Sequence, residues 1–102
     1  MIESLKSKTS NQMTLPSPDT PLYNHPLPEI EQWLRLQGCT QDEKQLHYWY
    51  LNKDSWEAEI YLDTDQIVVV YIEAGNEGQD IQRAFKYSLT RQDIEKAIFF
   101  GP

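Results

Sequence analysis

Hydrophobic and polar positions divide the chain into zones with different periods. Residues 1 to 20 are polar and rich in Ser and Thr. They follow neither the helical period of about 3.6 nor the strand period of about 2, which predicts a disordered leader. Residues 21 to 28, PLYNHPLP, hold three prolines that restrict the backbone to extended shapes. Pro28 then suits a first helical turn, where its missing N–H costs nothing. Ile30, Trp33, Leu34 and Gln37 share one face, Glu29 and Glu31 lie near the positive end of the dipole, and Gly38 stands where a helix would stop. A short helix over 28–37 is predicted.

The next stretch, QLHYWYLNKDSWEAEIYLDTDQIVVVYIEAG, is rich in β-branched and aromatic residues and is broken twice by Asn, Asp and Ser. It predicts strands over 45–51, 56–63 and 66–74, with turns at 52–55 and 64–65. Ile81, Phe85, Tyr87 and Leu89 recur at odd positions with Arg83 interrupting, so 81–89 reads as a fourth strand, a period of 2 fitting better than a helix. Thr90 is placed to cap a last helix with Asp93 at its third position, Ile94, Ala97 and Ile98 on one face, and Gly101-Pro102 as its end. The expected fold is α+β: a helix, a four-stranded antiparallel meander and a C-terminal helix, forming a single domain over 21–102 with an N-terminal proline-rich strap.

A two-residue turn at Thr64 and Asp65 fixes a register in which Ala58, Ile60 and Leu62 face Tyr71, Val69 and Ile67 on a common apolar side. Val68, Val70 and Ile72 then point the other way, beside Tyr61 and two glutamates. A strand apolar on both faces is expected to be central, with both sides at least partly dry. Four strands spaced about 4.8 Å apart span roughly 19 Å, so two helices about 10 Å across cover one face. The second face needs a cover. The proline segment folded back as a strap, a second copy of the chain, and a different protein are the three candidates, and helices set on opposite faces of the sheet would also suffice. Tyr23, His25, Trp49, Tyr61, Val68, Val70 and Ile72 are the candidate partner-binding residues.

Composition narrows the function. Nine basic against sixteen acidic residues give a net charge of −7, which repels phosphate backbones and argues against nucleic-acid binding, even though HYWY at 47–50, with Tyr61 and Tyr71, could otherwise stack bases. No apolar run approaches the roughly 20 residues of a membrane helix, so no membrane insertion and a cytoplasmic location are expected. Gly38, Gly75, Gly78 and Gly101 are isolated, so no phosphate-binding loop is formed. His25 and His47 belong to no metal-binding pattern, and no cofactor or metal is expected. Cys39, alone in the chain, reads as a small buried hydrophobe. The one enzymatic alternative is a small metal-dependent or acid/base site built from His47, Glu57 and Glu59, the two glutamates standing about 6.6 Å apart along one strand face.

PLYNHPLPEIEQWLRLQGC, WEAEIYL and FKYSLTRQDIEKAIFFGP resemble a small family of cyanobacterial and plastid proteins known only as a domain of unknown function. The likeness runs from Pro21 to Pro102 and carries no catalytic residues across. Plant relatives in that family bear the domain beside a chaperone J domain, which implies a client-holding or assembly role. The HPD tripeptide of a J domain does not occur here. The expected function is a noncatalytic protein-interaction module, an accessory or assembly factor of a photosynthetic organism.

Overall fold

The computed structural model describes residues 17–102. Most of the expected disordered leader, residues 1–16, therefore lies outside the described residues. Its last four residues belong to the folded domain: the Gln92 backbone N–H donates to the Pro18 carbonyl at 3.0 Å, and Thr20 Oγ1 lies 2.8 Å from His25 Nε2.

Helix α1 spans Leu27–Leu36, with Pro26 as its extended N-cap, Pro28 in the first turn and Arg35 in the last. Its end is closed as Gly38 suggested. Gly38 takes φ of 98°, its N–H reaches the Arg35 carbonyl at 3.0 Å, and the Cys39 N–H reaches Leu34 at 3.0 Å. These bonds help to pair the carbonyls of the last helical turn.

Five strands follow: β1 (Thr40–Gln41), β2 (Tyr48–Asn52), β3 (Glu57–Leu62), β4 (Gln66–Tyr71) and β5 (Ile81–Lys86), each antiparallel to its neighbour in that order. Helix α2, Arg91–Phe99, closes the chain, with the Thr90 hydroxyl accepting from the Asp93 N–H at 3.1 Å. The class is α+β as expected, but among the described residues the sheet has five strands rather than four. The added strand is two residues long, too short to show a period, and exists because Thr40 and Gln41 pair with Tyr50 and Trp49. The β3–β4 register is the expected one, with Leu62 opposite Ile67, Ile60 opposite Val69 and Ala58 opposite Tyr71.

Both helices lie on one side of this sheet. Ile30, Trp33 and Leu34 from α1 and Ile94 and Ile98 from α2 share one buried cluster with Trp49, Leu51, Ala58, Ile60, Ile67, Val69 and Tyr71. Those strand residues all have the same facing in the ladders. Polar contacts tie the helices to each other and to the sheet: Trp33 Nε1 of α1 donates to Glu95 of α2 at 2.9 Å, Glu95 pairs with Arg91 one turn away, and the Tyr71 hydroxyl donates to the Ile98 carbonyl at 2.8 Å. Trp33 also meets Phe99 edge to face at 5.7 Å. Arg83, which interrupts the apolar alternation of β5, stands over the Tyr71 ring at 5.3 Å.

The proline segment does not cover Val68, Val70 and Ile72. Pro21 bridges to Thr90, and the N–H groups of Leu22 and Tyr23 donate to the carbonyls of Leu89 and Tyr87 at 3.0 and 3.1 Å. Leu22 is thereby driven, fully buried, into the helix-side core. The strap is thus a clasp at the entry to α2, and β5 ends at Lys86 because Tyr87 and Leu89 pair with the clasp instead. At the far end of α2, Gly101 takes φ of 97° against Trp56, where an added Cβ would fall 2.7 Å from the indole Nε1. Among the described residues no helix is long and apolar enough to cross a membrane.

Candidate functional site

Among the described residues, no element forms a covering layer on the side of the sheet away from the helices. Cross-strand pairing builds this open face in rows. Tyr48, Tyr61, Val68 and Ala84 form one row, and Tyr50, Glu59, Val70 and Gln82 form the next. Glu57 follows, its carbonyl accepting from the Ile72 N–H at 2.9 Å. Val68, Val70 and Ile72 are half-buried, whereas Val69 between the two valines is fully buried on the helix side.

Three phenols organise two carboxylates on this face. The Tyr48 hydroxyl donates to Glu59 Oε2 at 3.0 Å, Tyr61 donates to Glu59 Oε1 at 3.2 Å, and Tyr50 donates to Glu57 Oε1 at 2.7 Å. The Tyr48 and Tyr61 rings lie 5.1 Å apart, inclined at 40°. Desolvation pushes the Tyr48 phenol up to about 12, and its hydrogen bond to Glu59 and the negative charges of Glu59 and Asp42 act in the same direction. Tyr61 is raised by desolvation and by Glu59, and Tyr50 chiefly by its bond to Glu57. All three phenols keep their protons at neutral pH and serve as donors that hold the carboxylates in place. Among the described residues no Lys or Arg forms an ion pair with Glu57 or Glu59.

The structure divides the candidate partner-binding residues into three groups. Tyr61, Val68, Val70 and Ile72 meet on the open face. Tyr23, 63% exposed, and His25 sit instead at the clasp, beside a depression shared with Leu27, Ile30, Leu62, Asp63, Thr64 and Tyr87. His25 is held there between Thr20 and Glu29, its Nδ1 3.2 Å from the Glu29 carboxylate. Trp49 is a correction. It faces Ile60 across the ladder and is fully buried in the core, with Arg35 over its ring at 5.4 Å and its indole N–H unpartnered among the described residues.

The enzymatic trio is not assembled. His47 lines a depression with Leu27, Glu31, Leu46 and Leu62 on the helix side, opposite the face that carries Glu57 and Glu59. No group of three potential metal-binding side chains occurs among the described residues. Burial pushes the Cys39 thiol up to about 12, with Lys53 only partly opposing, so the thiol keeps its proton at neutral pH and packs as a small hydrophobe in the core. Sequence reasoning missed the tyrosine–carboxylate set as a unit. The signal was present: pairing across the turn at 52–55 puts Tyr50 opposite Glu59 and Tyr48 opposite Tyr61.

Residues 37–101 match the family described as Protein of unknown function (DUF3143). This is more than half of the chain, so the chain belongs to that family. The match takes in the whole sheet and α2; the PLYNHPLP segment lies before it. No curated protein and no solved structure matches the chain.

Proposed function

We propose that this member of the DUF3143 family is a noncatalytic protein-interaction module whose partner docks on the open sheet face, and that it works as an accessory or assembly factor in the cytoplasm of a photosynthetic organism. The observation that carries the reading is the unequal covering of the sheet. Two helices and Leu22 seal one side, while the other presents tyrosines and valines with no layer over them among the described residues. Tyrosine gives large contact area at little entropic cost, which is why it is enriched at interface centres. Here the three phenols are already fixed by hydrogen bonds, so less ordering remains to be done on association. The source organism and assembly role rest on the sequence resemblance to cyanobacterial and plastid proteins.

The test is site-specific photocrosslinking in native lysate. A crosslinking residue replaces Val70 on the open face or, as control, Lys96 on the exposed side of α2. Val70 is expected to give a discrete adduct that excess unlabelled protein suppresses and that Val68→Lys abolishes. Equal adducts from both positions, or none from Val70, would overturn the proposal.

A further inference from the structure

We infer that the open face is built for a cationic segment of its protein partner, in which an arginine or lysine side chain sets against Glu57 and Glu59 while aliphatic side chains lie on Val68 and Val70. This rests on the reading above, that the face receives a protein, and adds the chemistry of what it receives.

The charge at the centre of the face is one-sided, with Lys44 set apart in a depression it lines beside Tyr48 and Tyr50. Glu57 and Glu59 are its central ionisable carboxylates, and neither has a cationic partner among the described residues. The chain's arginines are engaged elsewhere: Arg35 over Trp49, Arg83 over Tyr71 and Arg91 on Glu95. Lys86 has the same facing as Val68, but it lies opposite Gln66 at the end of β5, two strands from Glu59.

The carboxylates are also prepared to accept more. Each carboxylate oxygen has two lone pairs, and Glu59 uses one on each oxygen for a phenol, while Glu57 Oε2 has no donor among the described residues. A guanidinium or ammonium group can therefore bind without displacing the tyrosines. Charge-assisted hydrogen bonds of this kind are roughly twice as strong as neutral ones. The Tyr48 and Tyr61 rings flank the same spot, and aromatic faces attract cations within about 6 Å. A second copy of the chain fits poorly. A two-fold face-to-face pair presents the same patch from both sides, so with the axis through the centre of the patch these glutamates would meet their own counterparts, where like charges about 4 Å apart repel by about 4 kcal/mol at an effective dielectric constant near 20.

Three six-residue peptides, with valine alternating with arginine, glutamine or glutamate, provide the probes. Backbone amide shifts of the full chain are followed by NMR at low and at high salt. The arginine peptide is expected to move the amides of 57–61 and 68–70, to bind roughly tenfold more tightly than the glutamine peptide, and to weaken as salt is added. Glu57→Gln with Glu59→Gln, whose amide oxygens still accept from the phenols, should lose about that same factor. Glu57→Lys with Glu59→Lys should turn the preference toward the glutamate peptide. Equal binding of the arginine and glutamine peptides, arginine binding indifferent to both double variants, or shifts confined to another surface would overturn the inference. If no peptide moves the face while Val70 still crosslinks its partner, the cation preference falls and the docking surface stands. If the Val70 crosslink is also absent, both fall.

Discussion

The two faces of one sheet are made from the same strands and similar residues, yet they have opposite fates. Val69 is fully buried while Val68 and Val70, its immediate neighbours, are half-buried. Tyrosine changes role with side as well. Tyr71, on the covered side, donates to the Ile98 backbone carbonyl and ties a helix to the sheet. Tyr48, Tyr50 and Tyr61, on the open side, donate to carboxylates and set out charge. Hydrophobicity along a strand therefore does not decide which side becomes core. That depends on which side other elements can reach, and here the clasp, α1 and α2 all reach the same one.

If the contrast is real, equal damage on the two sides must have unequal cost. Trp33→Ala should destabilise by about 3–5 kcal/mol, a large part of the roughly 5–15 kcal/mol available to a small domain, and Tyr61→Ala by about 1 kcal/mol. Urea unfolding followed by tryptophan fluorescence measures both, and similar losses would break the comparison. Gly101→Ala comes next, at about 1–3 kcal/mol, because its Cβ would press on the Trp56 indole from a left-handed backbone. A thermal melt unchanged by that substitution would remove Trp56 as a rigid wall of the covered side. Tyr71→Phe should cost about 1–2 kcal/mol by leaving the buried Ile98 carbonyl without this donor. Tyr50→Phe, losing only a bond to an exposed-face carboxylate, should stay within about 0.5 kcal/mol.

One further effect is absent at neutral pH and appears only in alkali. The phenols of Tyr48 and Tyr87 are raised to about 12, Tyr87 by burial first and then by the charges of Asp63 and Asp65. Their folded values exceed the unfolded value of 10.0, so the unfolded chain releases these protons more readily. The stability they contribute is complete below pH about 10 and is lost as pH rises towards about 12. Denaturant midpoints taken alongside phenolate absorbance test this; a midpoint that holds constant while tyrosines ionise would refute it.

What the sequence revealed was local or set by pairing at short range. The β3–β4 register follows from one tight turn, the end of α1 from Gly38, and the start of α2 from Thr90 and Asp93. Direction was harder to read in HYWY, where large side chains occupy every position and alternation alone names no inner face. Trp49 falls inside because it pairs with Ile60, a relation visible only once β2 is set on β3. The clasp was illegible for a different reason. Its hydrogen bonds join residues 22 and 23 to 89 and 87, a closure across nearly the whole domain for which no local pattern exists. The candidate site was half legible: Tyr61 and the valines follow from the turn, whereas the bond from Tyr50 to Glu57 depends on two strands meeting.

The position of α1 has a practical consequence for where this chain can be cut. The family likeness begins at residue 37, but Leu22, Ile30, Trp33 and Leu34 lie before it and help fill the core. A fragment starting at the edge of the likeness would wet the undersides of Trp49 and Val69 and leave Glu95 without the indole it holds. The stretch that identifies this chain is shorter than the stretch that keeps it dry.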